Sequence, residues 1–144
     1  MIHLRSLFIL FIFISFIVSF LFPDHSTAEE CKEWVAKVVS VQGNVQVRRA
    51  GDTEWKTITL NNPCCPGDMI RVLERSRAGV MLINQPTLRL DQNTTVTFNG
   101  IEKEKTSLID LIKGAIHFFS HYRRSLKVTT PFANGTVEGT EFLV

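Results

Sequence analysis

The residues able to do chemistry in this chain are few, and their spacing limits what they can do. Cysteines stand at Cys31, Cys64 and Cys65. Adjacent cysteines rarely bridge each other, because the geometry is strained. A disulfide therefore pairs Cys31 with Cys64 or with Cys65 and leaves one thiol over; the alternative is three reduced, partly buried thiols. The cluster has too few ligands for a metal, and no histidine lies near it in sequence. His117 and His121 are four residues apart. On a helix they could share an ion, but on a strand they stand about 13 Å apart along one face, too far for one ion. Asp68 and Glu141 each precede an apolar run. Either could be an acid or base, yet neither has a His or Cys partner in sequence, and a catalytic pair must converge. Asp68 reads instead as the acceptor of backbone hydrogen bonds in its own turn. Gly43, Gly51 and Gly67 are isolated at turns and make no phosphate loop. The expectation is no enzyme, no cofactor and no metal.

One further stretch mixes aromatic and basic residues: His117-Phe-Phe-Ser-His-Tyr-Arg-Arg124. Stacking on a nucleic acid or a glycan is conceivable there. The simpler reading is a strand with Ile116, Phe118, Ser120 and Tyr122 on one face, forming part of a core. Asn93-Thr-Thr95 and Asn134-Gly-Thr136 match the glycosylation pattern, which needs a eukaryotic secretory route to matter.

These residues have to be positioned by short strands. The 144 residues are 44 % hydrophobic with a net charge of +2, enough for one compact domain and too evenly charged to argue for nucleic acid. Asn44–Arg49 alternates strictly, and Trp55–Leu60, Met69–Leu73, Ala78–Ile83, Thr87–Leu90, Thr94–Phe98, Leu108–Leu111 and Ala115–Tyr122 follow as strands. Breaker-rich turns separate them, including the loop Asn61–Asp68, and Ile101–Lys105 reads as a loop tip. Lys127 starts another strand, which Pro131 ends, and Asn134-Gly135 reads as a turn before a last strand from Gly139. This spacing predicts an all-β, antiparallel sandwich or roll of about ten short strands. Alternation places Val45, Val47, Val80, Leu82, Leu88, Leu90, Ile116 and Phe118 in the core.

The N-terminus speaks to compartment. Arg5 precedes an apolar run, Leu7–Phe22, then Pro23-Asp24 and the small residues Ser26-Thr27-Ala28. This is the layout of a signal peptide over 1–28 with a mature start at Glu29, and 29–37 as a lead into the domain. The alternative is an uncleaved anchor, although sixteen residues are short for a span of roughly 20.

Taken in order, several pieces form a pattern. They are Val41-Gln-Gly43-Asn-Val45, Trp55–Leu60, Pro66-Gly67-Asp68-Met-Ile-Arg71, Ser76-Arg77-Ala78-Gly-Val-Met-Leu82, Leu88–Val96, Lys113-Gly114-Ala-Ile-His-Phe118, Val128-Thr-Thr-Pro131-Phe-Ala133 and Gly139-Thr140-Glu141-Phe142. This resembles the FecR domain of bacterial envelope proteins, over about Val38 to Val144. The matching residues are fold-making, so the resemblance implies a fold rather than a binding site. FecR itself, as the family implies, is an inner-membrane regulator of a sigma factor that receives a signal in the periplasm. Only a few residues precede the apolar run here, so direct sigma-factor control is not expected. The family pattern continues past Gly-Thr-Glu-Phe, which implies a domain truncated at its C-terminal end. Phe142 would then lie on an uncovered edge, open to self-association.

The resulting expectation is a non-enzymatic, exported module, periplasmic or extracellular, for protein binding or signal reception. The alternative is a structural or glycan-binding envelope module. Its partner is an unknown envelope protein or glycan, with membrane contact only through an uncleaved N-terminus. N-terminal sequencing of the exported protein should find Glu29 first; an intact Met1 in the membrane fraction would establish the anchor instead.

Overall fold

The computed structural model describes residues 31–144 except 103–105. The expected signal peptide and the mature start at Glu29 lie outside the described residues, as does most of the Ile101–Lys105 tip. Among the described residues eleven strands follow one another: β1 (Ala36–Gln42), β2 (Val45–Arg48), β3 (Lys56–Thr57), β4 (Pro63–Cys64), β5 (Met69–Val72), β6 (Arg77–Leu82), β7 (Thr87–Leu90), β8 (Thr94–Glu102), β9 (Thr106–Lys113), β10 (Ile116–Thr129) and β11 (Asn134–Leu143). The all-β expectation stands. All eleven belong to one sheet, ordered β3-β2-β5-β8-β9-β10-β7-β6-β1-β4, with β11 alongside β10. The architecture is a curled open sheet, a half-barrel.

Alternation does the folding work. Most strands turn every second side chain to the inside of the curl, where apolar area leaves water at about 25 cal/mol per Å². All eight core residues named from the pattern are buried, from Val45 and Val80 at 0 % exposure to Val47 at 5 %. Phe98, Ile109, Leu111, Leu126 and Val128 are among the other residues of the interior.

β10 differs most from expectation. The stretches Ala115–Tyr122 and Lys127 onward are one strand of 14 residues. Its first half pairs with β7, Ile116↔Leu90 to Phe119↔Thr87. Its second half pairs with β9 in parallel, Ser125↔Thr106 to Thr129↔Asp110, while every other pair is antiparallel. A parallel pair needs a crossover. Residues 114–124 supply it, so the first half of β10 is both a strand and a connection. The bend is a bulge: between Phe119↔Glu141 and Arg124↔Gly139, β10 advances five residues and β11 only two. The extra residues swing out. Tyr122, expected on the core face, is therefore 67 % exposed, and Leu126 and Val128 bring the strand back into the core.

Three other differences have local causes. Trp55–Leu60 pairs only over Lys56–Thr57, after which Ile58 donates to the Val45 carbonyl at 3.0 Å and plugs the core. The loop Asn61–Asp68 contains β4, whose Cys64 and Pro63 pair with Ala36 and Lys37. The last turn is Thr130–Ala133 rather than Asn134-Gly135. Pro131 sits inside it, and Thr130 Oγ1 accepts from Ala133 N at 3.0 Å. Asn134 and Gly135 are already paired with Thr129 and Val128.

Leu82 is 2 % exposed beside Val38 and Val80 in the same core. Leu82→Ala should cost about 2–5 kcal/mol in urea unfolding. A loss under about 1 kcal/mol would overturn the register of β6.

Candidate functional site

The residues singled out from the sequence do not converge on one catalytic centre. They sit at separate turns and edges, and the densest assembly gathers around Asp68. Its carboxylate is 1 % exposed. Oδ2 accepts from Arg49 Nη1 at 2.6 Å and from Cys65 N at 2.9 Å, and Oδ1 accepts from Ala50 N at 2.9 Å. Arg49 also donates to the Pro63 carbonyl at 2.7 Å and to Asn62 Oδ1 at 3.3 Å. The neighbouring Gly67 N donates to the Phe98 carbonyl at 2.7 Å, and the Asp68 carbonyl accepts from Phe98 N. One carboxylate thus clips the end of β2, the loop holding β4 and the start of β5 onto β8. A buried ion is stable only when it is hydrogen-bonded and paired, and here both oxygens accept and Arg49 supplies the counter-charge. Arg49 was not anticipated; its signal was the need of any buried Asp for a cation.

Beside this clip the cysteines divide. Cys31 and Cys65 form the disulfide, with Cα atoms 5.7 Å apart, and Cys64 is the free thiol. The sequence left both pairings open. Alternation decides between them, because Cys64 on β4 faces the core at 0 % exposure while the next residue faces out. Burial pushes the Cys64 thiol up to about 12 from its ordinary 9.0, the Asp68 charge adds to the rise, and Arg49 opposes it. A thiol held in that form is a poor nucleophile.

The remaining motif residues serve turns and strands. Gly43 (φ 75°) ends β1 against Ser76, whose hydroxyl accepts from Asn44 N at 2.8 Å. Gly114 (φ 95°) leads into β10, and a Cβ there would lie 2.5 Å from Thr94 Cα. Two guanidiniums lie against the Trp55 ring, Arg71 at 4.2 Å and Arg48 at 5.2 Å from its centroid. Arg77 is exposed and meets Asp91 at 3.5 Å, whereas Ala78 is buried. Pro131 and Thr140 are exposed, and Gly139 pairs with Arg124. Glu141 meets His117 Nε2 at 3.1 Å. Phe142 is not on the outside of the edge: its ring stacks on Phe118 at 4.3 Å. His117 and His121 are separated by the start of the bulge. Among the described residues no three His, Cys, Asp or Glu side chains come together as a metal site.

A family model described as FecR protein matches residues 68–144, which is 77 of the 144 residues. The match begins at Asp68, so the Val41–Leu60 pieces of the resemblance lie outside it. No curated protein matches the chain, and no solved structure does.

Two predictions follow from the clip. Asp68→Ala should destabilise the fold by about 3–5 kcal/mol in urea unfolding, because it strands Arg49 and two backbone N–H groups. A loss below about 1 kcal/mol would show that the clip is dispensable. Cys64 should resist a thiol reagent near neutral pH in the native protein and react fully in denaturant. Its folded pKa lies above its unfolded one, so its contribution to stability is present below about 9 and fades as pH rises toward about 12. Cys64→Ser should flatten that alkaline decline; an unchanged decline would assign it to another group.

Proposed function

Because the chain belongs to the FecR family, we propose that it is a non-enzymatic, exported module of the bacterial envelope that binds protein or receives a signal, rather than a direct regulator of a sigma factor. FecR proteins are typically tied to signalling. The observation that carries a binding role is the outer edge of β11. This strand of 10 residues pairs, among the described residues, with β10 alone. Ile116 and Val144 exchange both backbone hydrogen bonds at 2.9 Å. Alternation then turns the N–H and C=O of Leu143 and Glu141 away from β10. Leu143 itself is 67 % exposed. A row of free backbone donors and acceptors on a long edge is a template for an added strand, with side-chain contacts setting specificity.

Strand addition is testable with the chain's own sequence as donor. Sedimentation from micromolar to submillimolar concentration should show self-association, and a labelled peptide of residues 134–143 should bind and compete. Leu143→Pro removes one outward N–H without touching the β10 ladder and should weaken both. Leu143→Lys should weaken association while changing folding stability by no more than about 0.5 kcal/mol. A chain that stays monomeric and ignores the peptide would overturn the reading of this edge.

A further inference from the structure

The face of β1, β6, β7 and β10 that points away from the core holds a groove. Cross-strand register sets its rows. Lys37, Met81, Thr87 and Phe119 form one, Ser40, Gly79, Arg89 and His117 the next, and Gln42 with Arg77 the last. Gly79 makes the floor. A Cβ at that position would come within contact of Ser40 Oγ at 2.4 Å, so strands β1 and β6 close over a residue without a side chain. The cleft above it has a volume of about 410 Å³ and is walled by Ser40, Gln42, Arg77, Arg89 and Phe119. Thr87 and Phe119 also line a second hollow of about 790 Å³, which reaches Trp34, Met81, Ile83 and His121. The two hollows share Thr87 and Phe119 as lining, and together they follow β6. From Arg77 to Ile83 it runs roughly 20 Å, at about 3.3 Å per residue.

Its charges are unevenly answered. Arg77 meets Asp91 and Glu141 meets His117. Arg89 is exposed and has, among the described residues, no hydrogen bond or ion pair. Lys37 stands 5.2 Å over the Trp34 ring. With His117 neutral, Lys37, Arg77 and Arg89 stand against Asp91 and Glu141, a balance of one positive charge, and Arg89 is the unmatched guanidinium. The groove's backbone is closed: β6 lies between β1 and β7, and β7 between β6 and β10. A peptide cannot enter by strand pairing, so recognition rests on side chains. Those present are aromatic and imidazole rings, guanidiniums, hydroxyls and amides, with the Glu141 carboxylate in the second hollow. A guanidinium fork fits a carboxylate in two places, and an aromatic face covers apolar C–H surface. Hydroxyl and amide groups suit sugar hydroxyls.

We propose that this groove binds a carboxylated oligosaccharide, with Arg89, supported by Arg77, holding a uronate carboxylate over Gly79, and with Phe119 and Trp34 stacking on successive sugar rings. The Arg89 end of the site has no β11 residue in its lining, whereas Thr140 and Glu141 of β11 line the hollow that holds Trp34.

Calorimetric titration of the full chain with a hexamer of galacturonic acid, a neutral hexamer of glucose and hexaglutamate tests the assignment. The uronate should bind most tightly. Arg89→Ala should weaken it at least about tenfold while leaving the neutral sugar unaffected. Phe119→Ala should weaken both sugars. Arg89→Lys should recover only part of the loss, since an ammonium lacks the fork. Thermal melts of the Arg89 and Phe119 variants should match the parent. Equal binding of hexaglutamate would reduce the site to general charge attraction and overturn the proposal. So would equal binding of the neutral hexamer, loss of uronate binding only in variants that melt early, or binding of none of the three. Failure of this titration leaves the β11 experiment unaffected, because Leu143→Pro alters neither Arg89 nor Phe119.

Discussion

The rest of the sheet depends on the hydrogen bonds of one carboxylate. Asp68 is taken wholly out of water, an act that costs several kcal/mol unless each lone pair finds a donor. Its donors come from three separate places, Arg49, Ala50 and Cys65, and they can meet only if the end of β2, the β4 loop and the start of β5 are already where the fold puts them. The requirement is therefore long-range and all-or-none. It holds an irregular, proline-rich loop as firmly as a strand would, and that loop in turn supplies β4 to the edge of β1.

The second organising constraint is the curl. A single sheet can enclose a core only if it bends, and bends in sheets come from bulges. Register shifts occur in β1 after Val38, in β8 near Phe98 and Gly100, and in β10 between Phe119 and Arg124. The last is the largest and lets one strand serve two neighbours. β7 takes its first half and β9 its second, so the sheet passes from one flank to the other along a continuous backbone. β11 spans both halves and stacks Phe142 on Phe118 at the hinge of that passage.

How much of this was legible follows from range. Strict alternation is local, so Val45, Val47, Val80, Leu82, Leu88 and Leu90 could be assigned to the interior from their neighbours alone. Turn chemistry is local as well, and Gly43, Gly67 and Gly114 stand where the backbone takes positive φ. What failed was decided elsewhere in the chain. Nothing near Pro63-Cys64 announces a strand, because its partner, Ala36-Lys37, lies far upstream. Ser120–Arg123 continue the alternation of β10 without a break, so the bulge that expels Tyr122 leaves no local trace. Phe142 reads as an edge residue until Phe118 is placed beside it. The candidate sites were less legible still. Arg49 belongs to Asp68 only through the fold, and Gly79, a plain strand glycine in sequence, matters because Ser40 crosses it.

The two adjacent cysteines carry an implication for how the molecule reaches its native covalent form. Cys64 and Cys65 are chemically alike and almost equally far along the chain from Cys31, so loop-closure entropy hardly separates the two possible bridges. The sheet separates them by parity. Bridging Cys31 to Cys64 would require the β4 segment to slip by one residue, which would pull a core side chain outward and set Cys65 in its place. The covalent isomer is thus a readout of strand register, and oxidation in which the sheet forms first is self-correcting: only one sulfur is on the outside to be found.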